Sequence, residues 1–283
     1  SNMERELRNC STGKDSLEND DTPNVRFYYT MKKTIADDSF FESEKQMVWN
    51  DFSNKESAQY WSAVGYYFAK ELSERLGITV GIIGCNWGGS SASAWMKREY
   101  ADGETAVYFE DYDSATAGKS EQQLKQDYLD YQAYHNEWER KSAEYYSNTL
   151  NPTWDGCLAY CGENKYPGPA SPLNPMSPGV LHKSMIERIA PYTMTGVIWY
   201  QGESDDHRPG MYYKLLNQMI RNWRDDWNDD ELFFVIGQLP MHRWEADPDF
   251  KNWCTIREAQ AKTARTTAGT ALAVLTDCGE FSE

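Results

Sequence analysis

The sequence predicts an α/β protein in which helices cover both faces of a parallel sheet, giving three layers. Short apolar runs alternate along the chain with longer stretches whose apolar residues recur at helical spacing. The apolar runs are almost continuous, which is typical of strands that are buried on both faces of a sheet. Alternation of this kind is the pattern of a parallel sheet with crossover helices.

The predicted strands are short and mostly apolar. The first has the sequence VRFYY, and the later runs include TVGIIGCNW, GVIWYQ, LFFVIGQL and ALAVLTDC. In open sheets of this class, ligands bind beyond the carboxyl ends of the strands. The predicted strands are Val25–Tyr29, 79–87, 196–201, 232–239 and 271–278.

The predicted helices fill the intervals between these strands. A helix over 53–76 is expected to bury a stripe of apolar residues and to end at Gly77, since glycine favours the conformation that stops a helix. Further helices are predicted over 91–97, 180–189, 210–227 and 256–266. The stripe of the first helix consists of Trp61, Val64, Phe68 and Leu72. The stripe of the helix over 210–227 consists of Tyr212, Leu215, Leu216, Met219, Trp223 and Trp227.

Residues 100–170 are predicted to form a helical and irregular insertion within a single domain that spans 1–283. Residues 101–150 are acidic and rich in tyrosine, and the prolines of 166–178 indicate an irregular loop. One helix face is expected to be a packing seam. That face carries Leu124, Tyr128, Tyr131, His135 and Trp138.

Composition limits the partners and cofactors that the protein is expected to bind. The 283 residues carry a formal net charge of −16, which argues against nucleic acid and anionic membrane as partners. No apolar run approaches the length of a bilayer span. The six cysteines are scattered without zinc-site spacing, so no metal site is expected. The 11 Trp, 19 Tyr and 10 Phe fit either aromatic packing or a surface that stacks on sugars.

Three segments carry the chemistry. The chain opens with SNME, residues 86–90 read NWGGS with AWM at 94–96, and residues 199–204 read WYQGES. The second and third segments each follow a predicted strand. The motifs of common α/β-hydrolases, P-loop nucleotide hydrolases, zincins and dinucleotide enzymes do not occur.

Together these segments resemble the sialate O-acetylesterase family of the SGNH hydrolases and the carbohydrate acetylesterases related to it. The resemblance implies a three-layer, flavodoxin-like SGNH fold and hydrolysis of sugar acetyl esters through a serine acyl-enzyme. It implies no metal and no organic cofactor, and an acetylated carbohydrate as partner, with O-acetylated sialic acid as the leading substrate. Two alternatives stay open: a deacetylase of plant polysaccharide such as acetylated xylan, and a carbohydrate-binding relative that has lost catalysis.

The resemblance also assigns catalytic roles. Ser1 falls on the nucleophile of the family, and Glu283 falls on the acidic residue that precedes its histidine base. Gly88 and Gly89 fall on the segment whose backbone N–H groups bind the oxyanion, where a bare backbone allows close approach. Gln201 falls where the family places a side-chain amide at the same oxyanion.

Six further residues are expected around the pocket. By the same resemblance, Glu203 supports the site from behind and the tryptophans form walls. Two histidines lie in loops at the predicted active edge, where they either line the pocket or are solvated. The six are Asn2, Trp87, Trp199, Glu203, His207 and His242.

The ends of the sequence depart from the family pattern. The chain begins on the serine itself, and it stops at Glu283 where the family continues with Ile-His-Pro. We therefore expect a slice of a longer protein that lacks one strand and the histidine base, and that is poorly stable and inactive alone. An alternative for Ser1-Asn2 is an expression scar. Localisation, cytoplasmic or secreted, and oligomeric state stay open.

Overall fold

The strands in the described part of the protein form two three-stranded sheets. The computed structural model describes residues 2–20, 24–35, 37–242 and 247–276, and for Asn2 it describes the backbone alone. The strands are β1 (Val25–Tyr29), β2 (Asn50–Asp51), β3 (Val80–Gly84), β4 (Gly196–Trp199), β5 (Phe233–Gly237) and β6 (Thr270–Ala273).

Most strand pairs are parallel, as predicted. The first sheet has the order β2-β1-β3 and the second β4-β5-β6. Strand β1 runs parallel to β3, and β5 runs parallel to both β4 and β6. Two features differ from the prediction: the short strand β2 pairs antiparallel with β1, and the described strands form two sheets rather than one.

The helices connect these strands in the predicted order. The α-helices are α1 (Gly13–Asn19), α2 (Asp38–Glu44), α3 (Lys55–Ala58), α4 (Ala63–Leu76), α5 (Val107–Thr116), α6 (Glu121–Asn148), α7 (Trp154–Cys161), α8 (Glu187–Ile189), α9 (Tyr212–Trp227) and α10 (Lys251–Thr266). A π-helical turn, His182–Ile186, precedes α8. None of the described helices combines the length and the apolar character that a membrane span needs.

The prediction of one continuous helix over 53–76 is wrong. The chain breaks between α3 and α4, and Ser62 caps α4 by accepting a hydrogen bond from the Gly65 N–H. The break is fixed from outside, because the Leu7 N–H donates to the Trp61 carbonyl at 2.9 Å. Trp61 itself is buried.

The buried face of α4 also differs from the predicted stripe. Tyr66, Ala69 and Ser73 are buried, whereas Phe68 is 36% exposed. The reason is aromatic packing: Tyr66 stacks on Phe52 with ring centroids 4.6 Å apart. The face of α4 that carries Tyr66 therefore packs inward, and the predicted stripe lies at the boundary between the buried face and solvent.

Later elements follow the sequence pattern more closely. On α6 the predicted seam is confirmed, since Leu124, Tyr128 and Trp138 are buried. Helix α9 buries its predicted stripe except for Trp227, which is half-buried, whereas α10 begins at Lys251 instead of residue 256. The predicted helix 91–97 forms a 3₁₀ turn, Ala92–Trp95.

Two apolar cores hold these elements. One packs β1 and α4 around Phe27, Trp61 and Tyr66. The other packs β4, β5 and α9, and in it Trp199 makes edge contacts with Trp95 at 6.3 Å and Trp223 at 5.8 Å. Strands β3 and β4 thus each pack against a core that is rich in aromatic residues.

Gly77 supplies a test of this local structure. It ends α4 at φ +66°, and an added Cβ would meet no atom within 4 Å. Gly77→Ala should therefore lower the free energy of unfolding by about 1 kcal/mol through backbone strain alone. Gly77→Asn should cost less, since asparagine tolerates this conformation. Denaturant titration checks both, and an alanine variant as stable as the parent would contradict the assignment.

Candidate active site

A cavity of about 240 Å³ lies where the segments following β3 and β4 approach each other. Its walls combine apolar and polar side chains with the exposed backbone of a glycine turn. The lining residues are Met3, Cys85, Asn86, Trp87, Gly89, Ser90, Trp95, Ile198, Trp199, Tyr200, Gln201, Glu203 and Ser204. Residues of both predicted motifs, 86–90 and 199–204, therefore meet at one place.

A buried carboxylate joins the two segments. Asp205 is 0% exposed, and its Oδ1 accepts hydrogen bonds from the Ser91 hydroxyl at 2.6 Å and the Tyr108 hydroxyl at 3.1 Å. Its Oδ2 accepts from the Ala92 backbone N–H at 2.9 Å and from Gln201 Nε2 at 2.7 Å. Four donors from three parts of the chain thus converge on one side chain.

The side chain of Gln201 is fully engaged within the protein. Besides donating to Asp205, its Nε2 donates to the Ser90 carbonyl at 3.1 Å, which uses both amide hydrogens. Its Oε1 accepts from the Tyr212 hydroxyl at 3.0 Å. In this geometry Gln201 has no free amide hydrogen for an oxyanion. The expected donation to an oxyanion would require one of these two bonds to break.

The glycine turn is shaped for close backbone approach. Gly88 and Gly89 form the turn, and Gly89 lies at φ +76°. A Cβ on Gly89 would lie 2.1 Å from the Tyr166 hydroxyl, which donates to the Gly89 carbonyl at 3.0 Å. In the described residues no acceptor engages the Gly89 N–H, so this donor is available at the cavity wall.

Tryptophans and a serine hold the same turn in place. The Ser90 hydroxyl donates to the Trp87 carbonyl at 2.6 Å and accepts from Trp95 Nε1 at 2.8 Å. Trp87 and Trp199 line the cavity, as predicted for its walls. Since Trp95 and Trp199 belong to the larger core, the turn rests on packed side chains.

Glu203 is a titratable group of the cavity lining. Burial raises the pKa of its carboxyl group above the ordinary value of 4.5. It begins the 3₁₀ turn Glu203–Asp205, directly after Gly202. Its predicted place beside the pocket agrees with this position.

The two loop histidines lie outside the cavity lining. His207 is exposed, and its ring contacts that of Tyr108 at 6.0 Å. His242 is also exposed, with its ring 5.0 Å from Trp253. Both exposed histidines rest against an aromatic ring, and of the two alternatives given for them this position fits the solvated loop residue better.

The predicted catalytic residues at the chain ends cannot be placed. Ser1 and Glu283 lie outside the described residues, and the side chain of Asn2 does too. The backbone of Asn2 begins a 3₁₀ turn, Asn2–Glu4, and Met3 of this turn lines the cavity. Within the described ranges, no cluster of three or more His, Cys, Asp or Glu side chains could hold a metal ion.

A second cavity, of about 410 Å³, lies beside α6. Tyr131 and Tyr134 line it together with Asp127, Asp130 and Lys165. The neighbouring residue Tyr166 reaches the glycine turn through its hydroxyl group. Through Tyr166, the segment predicted as an insertion contacts Gly89 in the wall of the first cavity.

Comparisons with known proteins agree with this architecture. A crystal structure of a novel carbohydrate acetylesterase from Xanthomonas citri superposes with a TM-score of 0.63 at 23% identity, covering 99% of this chain and 49% of that one. Sialate O-acetylesterases from Homo sapiens and Mus musculus are 22% and 23% identical, each over 68% of this chain. Residues 173–277 match the family model described as carbohydrate esterase, sialic acid-specific acetylesterase.

The chain is similar to sialate O-acetylesterases over about two thirds of its length, and to their family model over 173–277. Its α/β architecture is the fold of the Xanthomonas citri carbohydrate acetylesterase. The chain spans about 30% of the length of the curated family members from Pongo abelii and Homo sapiens. The match to the family model includes β4, β5, β6 and the segment 199–204, whereas the turn at 86–90 precedes it.

Several residues of the cavity region were not predicted from the sequence. Asp205 and Tyr212 organise Gln201, Tyr108 donates to Asp205, and Tyr166 contacts Gly89. Asn86 is the first residue of the NWGGS segment, and the sequence assigns it no role. The one available signal was position, since Asn86 and Asp205 both lie shortly after a predicted strand.

Replacement of Asp205 tests the polar connection. Asp205→Ala leaves four donors without their acceptor and should lower the free energy of unfolding by about 3 kcal/mol or more. Asp206→Ala is the matched control: burial raises the pKa of this neighbouring carboxyl group, so its removal should cost little. Equal losses in the two variants, measured by urea unfolding, would show that Asp205 has no special role.

Glu203 provides a pH test. Because burial raises its pKa in the folded state, the folded protein holds this proton to higher pH than the unfolded chain. Stability is therefore lost as the pH rises from about 4.5, the ordinary value, through the folded pKa. Glu203→Gln should be more stable than the parent at pH 7 and equal to it near pH 3. A stability difference that does not change with pH would contradict this.

Proposed function

We propose that the protein hydrolyses O-acetyl esters of carbohydrates, with O-acetylated sialic acid as the leading substrate. One observation carries the proposal: Gly89, whose backbone N–H has no acceptor among the described residues, lines a small cavity at the carboxyl ends of two strands. The match of residues 173–277 to the family model and the name of the structural neighbour support the same chemistry.

The proposed reaction proceeds through a covalent acetyl-enzyme. The hydroxyl oxygen of Ser1 attacks the acetyl carbonyl carbon while a histidine base takes its proton. The sugar alcohol leaves with a proton from that histidine, and water then attacks the acetyl-enzyme to release acetate. Met3, two positions after Ser1 in the sequence, lines the cavity.

The turn that contains Gly89 is proposed to stabilise the negative charge on the carbonyl oxygen. One such donor is worth roughly 3–4 kcal/mol in the transition state. The hydrogen bond from Tyr166 to the Gly89 carbonyl and the bonds of Ser90 hold the turn before substrate binds. This rigidity matters, because a donor that must move into place loses much of its effect.

The volume of the cavity fits the acetyl group better than a whole sugar. At about 240 Å³ it lies below the usual range for pockets that enclose a complete small molecule. We therefore propose that the acetyl group enters the cavity and that the sugar ring lies at its mouth. In this arrangement Trp87 and Tyr166 are candidates for contact with the sugar.

The decisive test uses the protein expressed from its complete reading frame. Acetate release should occur from acetylated sialosides, and a parallel assay with acetylated xylo-oligosaccharides ranks the alternative substrate. Ser1→Ala should lower kcat by about 10⁴-fold or more, since no other group supplies the attacking oxygen.

Ser114→Ala is the matched control. Its hydroxyl donates to the Glu110 carbonyl at 2.8 Å on an exposed face of α5, so this variant should retain full activity. Undiminished turnover in Ser1→Ala would remove Ser1 from the mechanism. Binding of acetylated sugars without any acetate release by the parent would instead favour a carbohydrate-binding role.

A further inference from the structure

The second cavity, beside α6, combines the two kinds of contact that a sugar ring needs. At about 410 Å³ it falls in the size range of pockets that hold a small molecule, whereas the first cavity lies below that range. A pyranose has apolar C–H faces that pack on aromatic rings and hydroxyl groups that bind to charged side chains. The lining offers both, through Tyr131, Tyr134, Asp127, Asp130 and Lys165.

The aromatic side chains of this cavity are held in place by the protein itself. The Tyr134 hydroxyl donates to a backbone carbonyl at 2.6 Å, and the Tyr131 ring lies nearly parallel to that of His135, with centroids 5.4 Å apart. The loop on the other side is fixed by the buried Asn174, whose Nδ2 donates to the Pro169 carbonyl at 2.9 Å. A wall that is formed before binding lowers the entropy cost of holding a ligand.

The polar groups of the lining keep hydrogen-bonding capacity for a ligand. Asp130 is exposed, and its Oδ1 accepts from Gln126 Nε2 at 2.8 Å, while its Oδ2 has no donor within the described chain. Lys165 Nζ lies 4.3 Å from the centroid of the Tyr134 ring and pairs with no carboxylate of the described residues. A carboxylate oxygen and an ammonium group suit hydroxyl groups, which both donate and accept.

The charges around the cavity favour an uncharged ligand. Two carboxylates and one ammonium group line it, and the whole chain carries a formal net charge of −16. An anionic ligand is therefore repelled by most of its surroundings. An uncharged pyranose meets no such repulsion and uses both signs of charge as hydrogen-bond partners.

One side chain joins the second cavity to the first. The turn 165–168 contributes to the lining of the second cavity, and from this turn the Tyr166 hydroxyl reaches the Gly89 carbonyl in the wall of the first. The Tyr166 side chain is 48% exposed, and its ring lies 6.5 Å from that of His135, which stacks on Tyr131. The rings of these residues thus lead from the first cavity to the second.

We propose that the second cavity binds an uncharged pyranose unit of the same glycan whose acetyl group occupies the first cavity. Tyr131 and Tyr134 contact the ring of that unit, and Asp130 and Lys165 bind its hydroxyl groups. Tyr166 contacts the sugar that connects the two cavities. This inference rests on the proposed esterase function and adds to it a subsite that selects oligosaccharides over single acetylated sugars.

Kinetics on substrates of two lengths test the subsite in the protein from its complete reading frame. An acetylated oligosaccharide is compared with the acetylated monosaccharide of the same series, sialyllactose with sialic acid or xylotetraose with xylose. Tyr131→Ala should raise KM for the oligosaccharide about tenfold and leave kcat within about twofold, because the contact is equally strong before and during reaction. KM for the monosaccharide, which does not reach the second cavity, should stay unchanged.

Two further variants keep this test interpretable. Asp130→Ala changes an exposed side chain, so it should fold normally and should raise KM for the oligosaccharide about threefold. Tyr146→Ala is the matched control, since Tyr146 is exposed on the same helix and outside the lining of both cavities, and it should leave both substrates unaffected. Tyr131→Ala that leaves KM for the oligosaccharide unchanged, or raises KM equally for both substrates, would overturn the inference.

Binding without turnover separates this inference from the proposed function. The probes are lactose and xylotetraose, which carry no acetyl ester, and titration calorimetry measures their affinity. The parent should bind at least one of them, Tyr131→Ala about tenfold more weakly and Tyr146→Ala equally well.

The outcomes of this titration are distinct. Absence of binding, or equal affinity in Tyr131→Ala, would overturn the subsite even in an active esterase. Tighter binding of a hyaluronan tetrasaccharide than of either neutral probe would overturn the assignment of an uncharged ligand. The expected binding in a protein that releases no acetate would support the subsite and contradict the esterase function.

Discussion

The arrangement of the cavity depends on one buried carboxylate. Asp205 accepts hydrogen bonds from the turn after β3, from α5 and from Gln201 after β4, and it is fully buried. A buried carboxylate is stable only when hydrogen-bond donors surround it. Folding must therefore bring Asp205 and its donors together. These donors come from separate segments of the chain. Asp205 therefore fixes the glycine turn after β3 relative to the WYQGES segment after β4.

Much of this architecture follows from local sequence patterns. Strand β1 was predicted with its observed bounds, and the apolar stripe of α9 was predicted because both depend on periodicity within one segment. The contacts of Asp205 could not be predicted, since Ser91 and Tyr108 lie 114 and 97 positions away. The break before α4 has the same origin, a contact between Leu7 and Trp61.

Several of the tryptophans pack in the interior. Trp61, Trp95 and Trp223 are buried, and Trp199 joins the larger core to the cavity wall. Aromatic-rich composition therefore reflects packing in these cases, although it fitted a sugar-binding surface equally well. Gln201 illustrates the limit of a motif: it lines the cavity, but its hydrogen-bond partners are residues that the WYQGES motif does not contain.

The most direct measurement is a crystal structure of the protein, from its complete reading frame, after reaction with a methylphosphonate ester that mimics the tetrahedral acyl intermediate. The account predicts the adduct inside the cavity, with its phosphonyl oxygen about 3 Å from the Gly89 nitrogen. An adduct outside the cavity, or a phosphonyl oxygen that makes no hydrogen bond to the Gly89 N–H, would contradict it.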